Sequence, residues 1–130
     1  MVTWMRILLA DDQSRIRFAL RVLLERQPGL QVVGEVADAE DLLAQTETTC
    51  CDVVLLGWEL PGLSAVGSLT VLRRVCPDLF VIALSGRPEA RGAAMDAGAD
   101  AFVSKIDPPD RLLAAINACR RGYRGRSGAG

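Results

Sequence analysis

The 130-residue sequence has no histidine. That removes imidazole general bases, histidine relays and most zinc sites in one step. Its four cysteines, Cys50, Cys51, Cys76 and Cys119, show no C-x-x-C spacing. Adjacent Cys50 and Cys51 cannot pair with each other without strain, so the expectation is reduced thiols in a cytoplasmic protein. No apolar run approaches the length that spans a bilayer, and Met1 to Met5 offer neither a long apolar segment nor a small-residue cleavage site. The net charge of −1 gives no global attraction for nucleic acid. The last 11 residues contain no acid but hold Arg120, Arg121, Arg124 and Arg126, leaving 11 basic against 16 acidic groups in the rest. They read as a solvated, frayed tail over 121–130 behind one domain over 1–120. Half of the residues are hydrophobic, enough for a core of ordinary size.

What is present is an alternation. Val53-Val54-Leu55-Leu56 has no polar face, which suits a central strand covered on both sides, and Pro61-Gly62 breaks the chain after it. Before it, Met5 to Ala10 reads as a strand and Ser14 as the cap of a helix with Ile16, Leu20, Leu23 and Leu24 on its apolar side, stopped by Pro28-Gly29. Leu30 to Val36 reads as a second strand, and Asp38 as the cap of a helix over about residues 39–48 anchored by Leu42 and Leu43. After it, Ser64 opens a helix with Val66, Leu69, Leu72 and Val75 facing inward, ended by Pro77. Leu79 to Leu84 is a strand ending at Ser85-Gly86; Pro88 starts a fourth helix that stops at Gly98. Ala101 to Ser104 is the fifth strand, ending at Lys105. Asp107-Pro108 then caps a last helix with Leu112, Leu113, Ile116 and Cys119 as its buried stripe. Five short strand–helix units predict an α/β fold, a five-stranded parallel sheet with helices on both faces.

In such sheets the chemistry lies beyond the carboxyl ends of the strands. Asp11 and Asp12, Gly57, Ser85 and Lys105 fall there on the first, third, fourth and fifth strands. Two acids, a hydroxyl and an ammonium would converge on one edge. Over residues 5 to about 120 the chain resembles the receiver domains of two-component response regulators, with the flavodoxin-like (βα)5 fold. The resemblance rests on Ile7-Leu8-Leu9-Ala10-Asp11-Asp12, on Asp52 to Leu56 followed by Leu60-Pro61-Gly62, on Ala83-Leu84-Ser85, on Ala97-Gly98-Ala99 and on Phe102-Val103-Ser104-Lys105. The start of the last helix at Asp107-Pro108-Pro109 looks most like receivers that precede a LuxR-type DNA-binding domain, and the 130 residues hold no such domain.

The resemblance implies roles. Asp11 and Asp12, with the backbone carbonyl of Glu59, match the ligands of Mg²⁺, a hard ion that takes oxygen donors. Ser85 matches the hydroxyl that bonds a phosphoryl oxygen, Lys105 the lysine that pairs with it, and Phe102 the aromatic that moves inward when that hydroxyl turns. The family's phosphate-accepting aspartate falls on Gly57, which has no nucleophile. The implied function is a signalling module acting without phosphorylation, a pseudo-receiver, with Mg²⁺ held weakly and the Glu59 side chain a solvated group at the site mouth. The alternative is an ordinary phosphorelay receiver of a transcription regulator altered at position 57 by engineering or accident. A small flavodoxin-like enzyme needs a phosphate-cradling loop or a catalytic base, and Asp11-Asp12-Gln13 would repel phosphate instead; no enzymatic activity is expected. A purely structural dimerisation module would use Leu112, Leu113 and Ile116, whose expected use is core packing. The implied partners are a sensor histidine kinase or other signalling protein and a second copy of the chain, with DNA reached only through a further domain and no membrane contact.

Overall fold

A computed structural model describes residues 4–63 and 68–122. Its elements are β1 (Met5–Ala10), α1 (Ser14–Glu25), β2 (Leu30–Val36), α2 (Ala39–Thr48), β3 (Val53–Gly57), α3 (Ser68–Val75), β4 (Phe80–Ser85), α4 (Arg91–Asp96, after a single 3₁₀ turn over Pro88–Ala90), β5 (Ala101–Ser104) and α5 (Pro109–Arg120). All strand pairs are parallel, in the order β2-β1-β3-β4-β5. This is the expected flavodoxin-like sheet.

Alternation along the strands splits the core in two. Leu8, Val54, Leu56, Val81 and Ala83 pack toward α2, α3 and α4 with Phe102. Ile7, Leu9, Val53, Leu55, Ile82 and Val103 pack on the other face with Leu24, Leu112 and Ile116. Every residue of β3 and β4 is buried, which is why neither strand shows a polar face in the sequence. Burial of Leu112 and Ile116 places them in the core rather than on a dimer surface; Leu113 and Cys119 are only partly covered.

Several expectations shift. Ser14 does not cap α1: the cap position is Gln13, whose backbone carbonyl accepts from Ile16 and Arg17, and no side chain caps the helix. Asp38 does cap α2, accepting from the Asp41 amide at 2.8 Å. Asp107 turns back to accept from the Ser104 amide, so α5 is preceded by Pro108 and opens on Pro109. The fourth strand lies one residue later than expected. Ser64 and Val66, proposed for the third helix, lie outside the described residues, as does the tail from 123; Arg120 is the last residue of α5 and donates to the Pro28 carbonyl.

The amino edge of the sheet carries the largest correction. Cys50 and Cys76 form a disulfide, not a pair of thiols. β3 and β4 are neighbours, so the residue entering β3 and the residue leaving α3 meet although they are 26 apart in sequence, with Cα atoms 5.9 Å apart. Cys51 and Cys119 stand outside the bridge, and all four sulfur side chains line one open cleft of about 880 Å³ with Trp4 and Pro28. Burial pushes the Cys51 thiol up to about 11. Near this edge Arg73, on α3, donates to the carbonyls of Leu79 and Gly98 and to Asp100 Oδ2, which also accepts from the Val81 amide. Three chain segments are tied there by one guanidinium–carboxylate pair. Among the described residues no helix is long and apolar enough to cross a membrane.

Candidate functional site at the carboxyl edge

The strand order reverses between β1 and β3, and the crevice of such a sheet opens beyond that point. Asp11 follows β1 and Gly57 ends β3 directly beside it. The Asp11 side chain is buried: Oδ1 accepts from the Gln13 amide at 2.9 Å, and Oδ2, which accepts no hydrogen bond among the described residues, forms an ion pair with Lys105 Nζ at 2.7 Å. Lys105 also donates to Gln13 Oε1 at 3.2 Å. Asp12 is exposed.

Gly57 is buried, paired with Leu84 across β3–β4. A Cβ built on it would stand 2.7 Å from Asp11 Oδ2 and 3.1 Å from Asp11 Cγ. The Asp11 carboxylate therefore occupies the room a side chain at 57 would need. It is the end of a rotatable side chain and can yield, which would shift its ion pair with Lys105.

The second cluster surrounds Ser85, the fully buried last residue of β4. Its Oγ donates to Glu59 Oε2 at 2.8 Å and accepts from the Arg87 amide at 3.0 Å, while the Arg87 guanidinium lies 3.4 Å from the same Glu59 oxygen. Glu59 is exposed at the mouth as expected, and one of its carboxylate oxygens also accepts from the Ser85 hydroxyl. The turn Leu60 N to Gly57 O, and Gly62 in the left-handed region at φ 82°, fold Glu59 back over the strand ends. Phe102 is buried, with the Arg91 guanidinium 5.0 Å from its ring centre.

The structure thus gathers Asp11, Gly57, Glu59, Ser85 and Lys105 at one edge, with Phe102 in the packed layer behind and Asp12 facing outward. It adds two groups that sequence reasoning missed, Gln13 and Arg87. Arg87 had a signal, a cation two residues past a strand-end serine; Gln13 had none. Nearby, Glu35 on β2 receives Arg21 and Arg17 from α1 at 2.7 and 3.0 Å, and the Arg21 hydrogen bond holds its carboxyl below the usual range. Among the described residues no three acids or cysteines are grouped to hold a metal ion. Asp11 Oδ2, buried and without a hydrogen bond of its own, is the oxygen that would turn to a Mg²⁺ ion, in competition with Lys105.

Comparison with known proteins agrees on the family. The response regulator receiver domain family matches residues 7–117. This chain belongs to that family. Among its relatives, the nitrate/nitrite response regulator protein NarP of Escherichia coli K12 is 33% identical over 121 residues, 92% of this chain and 56% of NarP. The response regulator UvrY of the same strain is 32% identical over 91% of this chain and 55% of its own length. A two-component response regulator of the LuxR family from Aurantimonas sp. SI85-9A1 superposes with a TM-score of 0.82 at 31% identity, covering 94% of this chain and 89% of that one. The chain spans a little over half the length of the curated relatives it matches, and its place is among receivers of LuxR-family regulators.

Proposed function

We propose that this receiver serves two-component signalling as a phosphorylation-independent module, a pseudo-receiver whose acceptor position is Gly57. The observation carrying this reading is the Asp11 carboxylate at 2.7 Å from where a Gly57 Cβ would be, already paired with Lys105. A site with no nucleophile and with its own lysine neutralised has no means of forming or holding an aspartyl phosphate. Asp12, the Glu59 carbonyl and Asp11 remain the proposed Mg²⁺ ligands, and Mg²⁺ binding is proposed to be weak because the ion must displace Lys105 from Asp11.

The test is addition of Mg²⁺ and then beryllium fluoride or acetyl phosphate to the parent and to Gly57→Asp, followed by Trp58 fluorescence and intact mass. The parent stays silent, and Gly57→Asp binds Mg²⁺ more tightly while being no more stable without it. A phosphoryl adduct on the parent overturns the reading. Asp11, Ser85 and Lys105 lie at the same sheet edge as position 57, which supports a second reading, an ordinary receiver altered at that one residue; a full donor response from Gly57→Asp would favour it. Under either reading the chain is not an enzyme. Its partners are a sensor kinase or other signalling protein and a second copy of itself, it acts in the cytoplasm, and it reaches DNA only through a further domain. One related structure, of RcsB from Salmonella typhimurium, describes conformational dynamism for DNA interaction.

A further inference from the structure

Ser85 ends a fully buried strand, and its hydroxyl is used in both directions: it accepts from the Arg87 amide and donates to Glu59. The first bond winds the chain into a tight turn directly after β4. The turn leads through Pro88–Ala90 into α4, whose first residue, Arg91, lies over the Phe102 ring. The second bond is charge-assisted and is reinforced by the Arg87 guanidinium on the same oxygen. Glu59 itself belongs to a different segment, the turn after β3. One carboxylate thus bridges the β3 turn to the β4 turn at a hydroxyl that has no other acceptor among the described residues.

We infer that Glu59 is an internal ligand of the Ser85–Arg87 turn: its carboxylate supplies the oxyanion contact that orients Ser85 and fixes the start of α4, with Phe102 buried beneath Arg91. This rests on the phosphorylation-independent reading, because a site that receives no phosphoryl group has this contact permanently available to the chain's own acid. Glu59 is a positioning residue acting through Ser85 and Arg87. The Ser85 hydroxyl and the Arg87 guanidinium present donors to an oxyanion, and the tethered Glu59 carboxylate is the one present. Geometry favours the tethered group over a free ion, since the tether removes the entropy of capture.

The experiment follows the Ser85 and Phe102 resonances by NMR in the parent, Glu59→Ala, Glu59→Asp and Ser85→Ala. Glu59→Ala moves both sets of signals, with the ratio of turn conformers falling about tenfold, the equilibrium equivalent of one charge-assisted hydrogen bond. Sodium acetate added to Glu59→Ala returns the signals toward the parent, whereas sodium chloride at equal ionic strength does not. Ser85→Ala moves the Phe102 signals in the same direction and is not rescued by acetate. Glu59→Asp lies between parent and Glu59→Ala. Parent-like signals in Glu59→Ala, or equal effects of acetate and chloride, overturn the inference. Should Glu59→Ala fail to fold, Ser85→Ala decides alone: an unmoved Phe102 rejects the coupling. Beryllium fluoride with Mg²⁺ on the parent separates the two claims. A response there defeats the phosphorylation-independent reading, while a silent parent with an unchanged Glu59→Ala defeats only the role given to Glu59.

Discussion

The two ends of the sheet are held by different means. At the carboxyl edge, where the helices begin, Asp11–Lys105 and Glu59–Ser85–Arg87 are held by charge and hydrogen bonds. At the amino edge, the Cys50–Cys76 bridge and the Arg73–Asp100 pair join segments that are distant in sequence, one covalently and one with a fully buried carboxylate. The Glu59–Arg87 contact is exposed and exchanges with ions, water or another side chain, Asp11–Lys105 is as buried as Arg73–Asp100, and the disulfide opens only on reduction. One end can respond to a ligand while the other keeps the layers in register.

The largest effect that would sharpen this contrast is expected from Lys105→Met. It leaves the Asp11 carboxylate buried without its cation, and loss of one partner of such a pair costs about 3–5 kcal/mol. Urea unfolding measures it, and the double variant Asp11→Asn with Lys105→Met should recover most of the loss. At the opposite end, Cys50→Ser with Cys76→Ser frees a loop of 26 residues' separation, worth about 3.5 kcal/mol in chain entropy. Stability equal with and without reductant would break the comparison. Cytoplasmic reductants oppose such a bridge, so the mass of protein alkylated at the moment of lysis shows whether it persists in the cell.

A smaller effect is expected from alkali. The Cys51 thiol, raised by burial from 9.0 to about 11, stays protonated in the fold after it would ionise in the unfolded chain. Its contribution is fully present below pH 9 and is lost as pH rises from 9 through 11, on the order of 2 to 3 kcal/mol. Cys51→Ala should flatten that part of the pH–stability curve. The smallest effect compares two cap positions. Asp38→Ala removes a bond to the Asp41 amide and costs about 1 kcal/mol, whereas Ser14→Ala, at a position that caps nothing, stays within about 0.5 kcal/mol of the parent. Thermal unfolding of both variants distinguishes them.

β1, β2, α2 and β5 begin and end where the hydrophobic period and the turn residues put them, because those signals are local. The meeting of Asp11, Gly57, Ser85 and Lys105 followed from strand ends alone, since parallel topology brings every carboxyl end to one edge. What the residues could not convey was pairing across the fold. That Cys50 reaches Cys76, that Asp107 turns back to Ser104 instead of capping α5, and that Glu59 bends inward to Ser85 all depend on distances between segments that sequence neighbours do not encode. Gln13 displaced Ser14 from the cap of α1 for a similar reason: its amide is already drawn to Asp11, which sets the backbone one residue early.

Arg73 reaches the Gly98 carbonyl, just beyond the end of α4, in a turn where Gly98 itself sits at φ 107°. α4 is thus anchored like a beam bolted at its far end and latched at its near end by the turn at Ser85 and Arg87. Releasing the latch leaves a pivot at Gly98, and a six-residue helix rising 1.5 Å per residue gives that lever an arm of about 9 Å. A displacement of one hydrogen bond's length at the latch then corresponds to a tilt of roughly 20° of the helix that carries Arg91 over Phe102.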